Sequence, residues 1–330
     1  MGSLNIAILG AGAWGTALAI SLSGKHRVTL WARDPQQAET LAGERRNRRY
    51  LPEAQLPGQV DVTSDAQSAL RDADLALVTT PTGAMRDALA RIKSSGRTIP
   101  IVWGCKGFEP ATGALPHRII AETLGSTRCG ALAGPSFALE VAQGRPTALT
   151  LASSDVEFAQ TTARELHQSK LRVYFSNDLI GVELGGAVKN VLAIATGICD
   201  GLELGLNARA ALITRGLVEM TRLGVAFGGR AETFMGLTGA GDLILTCTGE
   251  LSRNRRVGLL LGRGEGLAAV LGSLGHVAEG VQSAREIERA ATEKRVDMPI
   301  TQAVCGVLFR GVNPEKAVQQ LLARDPKSEI

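Results

Sequence analysis

Lys189 has the setting of a reactive amine. With Asn190 it lies in an apolar stretch of small residues that includes Gly181, Gly185, Gly186, Ala187, Ala193, Ala195 and Gly197. Periodicity predicts a helix after Asp178, and a glycine inside a helix costs roughly 1 kcal/mol relative to alanine. Such a series is tolerated where something must approach the helix backbone closely. A helical side chain leans over the turn before it, so Lys189 covers Gly185 and Gly186, which carry no bulk. A slot beside an amine is the expectation. A purely structural lysine usually shares a polar face with other charges, and none lies within one turn of Lys189.

A second chemical signature opens the chain. Gly10, Gly12 and Gly15 form G-x-G-x-x-G between an apolar strand, Asn5–Leu9, and a helix, Trp14–Leu22. The first glycine makes the tight turn, the second lets the backbone approach a pyrophosphate, and the third lets helix and strand pack closely. The helix N-terminus adds free N–H groups and a positive dipole end. Glycine loops also serve ordinary turns; the flanking strand and helix here predict a dinucleotide site. A second strand, Arg27–Trp31, leads to Ala32-Arg33, and Asp34-Pro35 then starts a helix with Asp34 as its cap. The common NAD pattern places an acid at the end of that strand to hold the ribose 2′-hydroxyl. Ala32 supplies none, and Arg33 suits a 2′-phosphate. This favours NADPH, with Asp34 close enough to keep NADH open.

These residues need a scaffold, and the chain supplies an alternation of strands and helices. Strands are expected at 60–63, 75–79, 99–103, 129–132, 147–151 and 171–175, and helices at 65–71 (capped from Ser64), 84–93, 115–124 and 156–167, with a short one ending at Gln143. This is the pattern of a mostly parallel, doubly wound sheet. Ligands bind at the carboxyl ends of such strands. Gly10–Gly15, Arg33, Pro81, Lys106 and Gly134–Ser136 all follow strands and should line one crevice. Near Ser176-Asn177-Asp178 the pattern becomes helical. The expected organisation is therefore an NAD(P)-binding domain over 1–177 and a helical domain over 178–330.

Composition narrows the classes. The 330 residues suffice for two domains, 45% are hydrophobic, and only 4% are aromatic. The net charge of +4 suits an anionic small molecule and is too diffuse to argue for nucleic acid. The basic run Arg45, Arg46, Arg48 and Arg49 reads as a solvated face, with a nucleic-acid patch as the sharper alternative. Five cysteines are scattered without C-x-x-C, and His26, His117, His167 and His276 show no metal-site spacing. No signal peptide or bilayer-length apolar run is evident, so a cytoplasmic protein without membrane insertion or metal is expected.

The stretch from Gly186-Ala187-Val188-Lys189-Asn190 through Asp200-Gly201-Leu202 to Leu204-Gly205 and Asn207 resembles the characteristic motif of NAD(P)-dependent glycerol-3-phosphate dehydrogenases. Further segments are similar to that family in the same order: the glycine loop with Trp14, Trp31-Ala32-Arg33, Tyr50-Leu51-Pro52, Cys105-Lys106-Gly107, Gly134-Pro135-Ser136, Leu237–Leu243, Ser252-Arg253-Asn254 and Glu279-Gly280. The resemblance implies an α/β N-terminal Rossmann doubly wound sheet plus an all-α C-terminal domain (6-phosphogluconate dehydrogenase C-terminal-like), assembled as a homodimer.

It also implies roles. Lys189 would be the catalytic acid/base. Lys106, Gly134, Ser136, Asp242, Ser252, Arg253 and Asn254, with Lys189, would surround dihydroxyacetone phosphate or glycerol 3-phosphate. Ala13, Trp14, Arg33, Lys106, Ala138, Arg253, Val277 and Glu279, with the three loop glycines, would touch NADPH/NADP or NADH/NAD. Asp242 could equally be a turn or cap residue, Ser252 a plain helix start, and Arg255 and Arg256 surface residues. The product would feed phospholipid synthesis. Rival readings are another lysine-using dehydrogenase of the wider group, for 3-hydroxyacids or 6-phosphogluconate, or a non-catalytic NADPH-binding regulator gripping nucleic acid through Arg45–Arg49.

Overall fold

The computed structural model describes residues 2–110, 112–274 and 279–325. The chain divides into two compact units, Met1–Glu183 and Leu184–Ile330. The strands are β1 (Asn5–Leu9), β2 (Arg27–Trp31), β3 (Arg46–Asn47), β4 (Leu51–Gln55), β5 (Val60–Thr63), β6 (Leu75–Val78), β7 (Ile101–Trp103), β8 (Cys129–Ala133), β9 (Thr147–Ala152) and β10 (Leu171–Ser176). Between them lie helices α1 (Ala13–Leu22), α2 (Pro35–Glu44), α3 (Ala66–Leu70), α4 (Met85–Ser94), α5 (Pro116–Leu124), α6 (Ala138–Ala142) and α7 (Val156–Leu166).

The eight-stranded sheet has the order β10-β9-β8-β7-β6-β1-β2-β5. From β1 the chain moves outward to β2 and β5, then crosses back to place β6 on the other side of β1. The reversal between β1 and β6 is the topological switch point at which such sheets open a crevice. The central strands β6, β7 and β8 are buried on both faces and read as apolar runs, while the edge strands β5 and β10 keep exposed residues such as Asp61, Arg172 and Tyr174. Along β1, Ile6 and Ile8 enter one core cluster while Ala7 and Leu9 enter the other. Pairing is parallel except between β8 and β9, where Leu132 faces Leu151 in an antiparallel pair.

Asp34 caps α2 as expected, accepting from Gln36 N–H, with Pro35 in the first turn. The helix after β5 is capped by Asp65, whose carboxylate accepts from Gln67 N–H, and not by Ser64. In the arginine run Arg46, Arg48 and Arg49 are exposed, as a solvated face requires, while Arg45 is half-buried. Arg46–Asn47 pairs antiparallel with β4 as a small two-stranded sheet that periodicity did not announce. Arg45 takes a left-handed conformation at the end of α2, and its guanidinium donates to the carbonyls of Pro57 and Val60. Arg48 pairs with Glu44, and Arg49 lies over the Tyr50 ring.

The unit boundary falls inside α8 (Leu179–Gly201). Its first turn belongs with the sheet domain: Leu179 and Val182 pack into the core there. Glu183 accepts from the His117 backbone N–H, and its other oxygen lies 2.5 Å from the His117 ring. Burial pushes the Glu183 carboxyl up, with His117 opposing. In the second unit α8 is followed by α9 (Gly205–Ala226), α10 (Asp242–Thr248), α11 (Arg253–Gly262), α12 (Leu267–Leu274), α13 (Glu279–Glu293), α14 (Pro299–Phe309) and α15 (Pro314–Leu322). Among the described residues this unit contains no strand. By length and composition α8 could cross a membrane, yet 94% of its most apolar window is buried within the protein, as in a core helix.

Candidate active site

In the sheet domain the glycine loop has the shape of an anion cradle. Gly10 adopts φ +125, a conformation that favours glycine, and a Cβ there would stand 2.9 Å from Thr80 N. A Cβ on Gly15 would sit 1.9 Å from the Gly10 carbonyl oxygen. At Gly12, by contrast, nothing lies within 4 Å of the place a Cβ would take. Two glycines therefore permit close packing and the third leaves open space over the N-terminus of α1. That space, bordered by backbone N–H groups, fits a dinucleotide pyrophosphate.

Arg33 is exposed just past the end of β2, while Ala32 before it is fully buried. Asp34 is engaged as a helix cap. Ala13, Trp14 and Ala138 are brought together around a small core that includes Leu51 and Val141. A Cβ on Gly104 would lie 2.5 Å from Trp14 Nε1, so the indole packs against the backbone that follows β7. Lys106 lies in that same loop, and its carbonyl accepts from Thr82 Oγ1. Gly134 follows β8 at φ +141 against the backbone of Ala148 and Leu149, and the Ser136 hydroxyl donates to the Gly134 carbonyl. The parallel pairing of β2, β1, β6, β7 and β8 puts the residues that follow them at one edge of the sheet.

In the helical unit Lys189 is buried, with Nζ 2.6 Å from Asp242 Oδ1 and 2.9 Å from Thr246 Oγ1. The Thr246 hydroxyl donates to the Asp242 carbonyl one turn back, which turns an oxygen lone pair toward the amine. Asp242 opens α10 directly after a π-helical turn, Leu237–Gly241. It is an ion-pair partner, beyond a plain turn or cap. The adjacent Cys247 thiol is pushed up to about 12 by burial and offers no thiolate.

The expected slot over Gly185 is filled. A Cβ on Gly185 would stand 2.5 Å from the Thr238 carbonyl oxygen, so the close approach is made by the turn that carries Asp242. The other glycines of α8 serve a helix crossing: Gly197 and Gly201 meet the backbone of α11 at Arg255 and Leu259, and Gly258 meets α8 at Ile194. The small-residue pattern thus brings helices together around the lysine.

That crossing sets the N-terminus of α11 beside α8. Ser252 is buried and caps α11 through Arg255 N–H, so its hydroxyl acts as a helix start. Arg253 is exposed in the first turn. Asn254 is buried, donating to Asn190 Oδ1 and accepting from Gly280 N–H. Glu279 therefore begins α13 next to this cluster; Val277 and His276 lie outside the described residues. Arg255 is not a surface residue: its guanidinium is largely buried and pairs with Asp200, which also holds Arg209. Arg256 is exposed.

The sequence does not single out Thr246, and it sets Asn190 beside Lys189 without a role of its own. Thr246 touches the amine from four residues beyond Asp242, and only its place one turn along α10 hints at this. Asn190 Nδ2 is buried without a hydrogen-bond partner. An unmet buried donor costs roughly 1–3 kcal/mol, and it marks a place where a ligand oxygen would be accepted. Among the described residues no group of His, Cys, Asp or Glu is arranged to hold a metal ion.

Comparison with known proteins covers both units. A sequence model of the NAD-dependent glycerol-3-phosphate dehydrogenase N-terminus matches residues 5–159, and one of the C-terminus of the same family matches residues 178–319. A glycerol-3-phosphate dehydrogenase (NAD(P)+) of Dechloromonas aromatica (strain RCB) is 55% identical, covering 99% of this chain and 100% of the relative. One of Nitrosospira multiformis is also 55% identical, with the same coverage. The crystal structure of glycerol-3-phosphate dehydrogenase from Coxiella burnetii superposes with a TM-score of 0.94 at 43% identity, covering 98% of this chain and 99% of that one.

Proposed function

From a chain that belongs to the NAD-dependent glycerol-3-phosphate dehydrogenase family, we infer an oxidoreductase that interconverts dihydroxyacetone phosphate and sn-glycerol 3-phosphate with NAD(P)H, using Lys189 as proton donor and acceptor. The bound nicotinamide supplies or takes up the hydride at the C2 carbon of the substrate. The residues of this chain handle everything else. Reduction of a ketone leaves negative charge on its oxygen, and the Lys189 ammonium donates the proton that neutralises it. Asp242 and Thr246 hold that ammonium in one orientation, and Asp242 stabilises its charge within a buried site. In the oxidising direction the amine accepts the alcohol proton. Asn190 offers its Nδ2 to a substrate oxygen, and Arg253 offers a planar fork that matches phosphate oxygens.

In the sheet domain the N–H groups around Gly12 and the start of α1 hold the pyrophosphate. Arg33 pairs with the 2′-phosphate of NADPH, which makes NADPH the preferred cofactor. The enzyme acts as a cytoplasmic homodimer and supplies the glycerol phosphate of phospholipids, readings that follow from the family resemblance.

The observation that carries the reading is the buried contact of Lys189 Nζ with Asp242 and Thr246. Steady-state turnover of dihydroxyacetone phosphate with NADPH and NADH tests it. Turnover of a 3-hydroxyacid or 6-phosphogluconate in its place would move the chain to another lysine-using dehydrogenase. Cofactor binding without turnover, together with salt-sensitive DNA binding, would favour the regulator.

A further inference from the structure

Asn47 stands in the middle of the arginine run, yet it is one of the few fully buried polar residues of the sheet domain, at 3% exposure. Its amide is used at both ends. Nδ2 donates to the Ala11 carbonyl at 3.0 Å and to Thr16 Oγ1 at 2.8 Å, and Oδ1 accepts from Tyr50 N–H at 3.3 Å. Ala11 lies between Gly10 and Gly12, so Asn47 reaches from the β3–β4 hairpin into the glycine loop itself. Gln37 Nε2, from α2, donates to the same Ala11 carbonyl at 2.9 Å. Thr16 relays the contact, its hydroxyl donating to the Gly12 carbonyl at 2.8 Å.

We propose that Asn47 is a positioning residue for the pyrophosphate of the dinucleotide. In a planar trans peptide the C=O and N–H groups point in opposite directions. Holding the Ala11 carbonyl toward Asn47 therefore turns the Gly12 N–H toward the open space over the loop. Holding the Gly12 carbonyl through Thr16 does the same for the Ala13 N–H. Gly12 has no side chain to hold its peptide planes by packing, and glycine turns through φ more freely than any other residue. A flip of the Ala11–Gly12 peptide would face the pyrophosphate with a carbonyl oxygen in place of a donor. Asn47 opposes that flip from outside the loop, and the hairpin exists in part to deliver it. The inference rests on the dinucleotide reading of the glycine loop, and concerns the pyrophosphate shared by NADPH and NADH, whereas Arg33 concerns the 2′-phosphate.

Calorimetric titration of the full chain with NADPH, NADH and adenosine 2′-monophosphate, which carries no phosphate at the 5′ position that the loop would hold, separates the possibilities. Asn47→Asp keeps the shape and removes the donor; Asn47→Ala is the companion, should a buried carboxylate prevent folding. Losing buried hydrogen bonds of this kind should weaken NADPH and NADH by about tenfold each and leave the monophosphate within about twofold. In steady state both dinucleotide KM values should rise together while that for dihydroxyacetone phosphate stays. Unchanged affinity for both dinucleotides in either folded variant overturns the proposal. An equal loss of the monophosphate also overturns it, by showing general damage to the domain. A wild-type chain that binds neither dinucleotide overturns the cofactor reading instead, and this inference with it.

Discussion

Replacing Lys189 by methionine keeps the length of the side chain and removes its proton and charge. Because Lys189 and Asp242 are both buried and in contact at 2.6 Å, the substitution takes the Lys189 charge away from a buried carboxylate. Breaking a buried ion pair by removing one partner costs roughly 3–5 kcal/mol, a large share of the roughly 5–15 kcal/mol that holds a typical domain folded. Lys189→Met should therefore be destabilised by that order, while its kcat falls by roughly 10²–10⁴-fold from the loss of the proton donor. Adding Asp242→Asn removes the carboxylate charge as well, so the double variant should regain most of the stability and none of the turnover. Urea denaturation of the wild type, both single variants and the double variant, with steady-state reduction of dihydroxyacetone phosphate by NADPH, gives both readouts. Near-normal turnover in Lys189→Met would refute the acid/base role. An unchanged denaturation midpoint would refute the buried pair, and rescue of turnover by the second substitution would mean that the rate loss came from misfolding.

Arg33→Asp should raise KM for NADPH far more than for NADH, because it sets a carboxylate against the 2′-phosphate; equal losses for both would remove Arg33 from cofactor choice. Arg253→Ala should raise KM for dihydroxyacetone phosphate by about tenfold or more, the scale of one lost charged hydrogen bond, and a fall in kcat at unchanged KM would instead place Arg253 at the reacting carbonyl. Glu219 accepts from the N–H groups of Ile300 and Thr301 at the start of α14, and burial raises its pKa to about 7 from an ordinary 4.5. Its folded state holds the proton more tightly, so this group's contribution is full below about pH 4.5 and declines as pH rises to about 7, by about 3 kcal/mol in all. Glu219→Gln should flatten that decline between pH 5 and 8 in denaturation midpoints, and an unchanged slope would show that Glu219 does not titrate there.

What the sequence determined by itself is local. The apolar run Asn5–Leu9, the spacing of Gly10, Gly12 and Gly15 and the cap at Asp34 follow from turn chemistry and periodicity over a few residues, and each stands where those rules put it. The change from alternating strands to helices is legible for the same reason, and so is the oddity of a lysine among glycines. Tertiary structure decided the partners. Lys189 meets Asp242 across 53 positions of chain because Gly185 admits the turn that carries it. Arg255, which reads as surface from its charged neighbours, is drawn inward to Asp200 because Gly197 and Gly258 let α8 and α11 touch. Asn47 gives no sign among four arginines, since burial depends on a hairpin whose two strands are too short for periodicity to reveal. Side-chain spacing is written along the chain, but which backbone can come close enough to pair is a property of packed elements, and there the glycines act at a distance from their own positions.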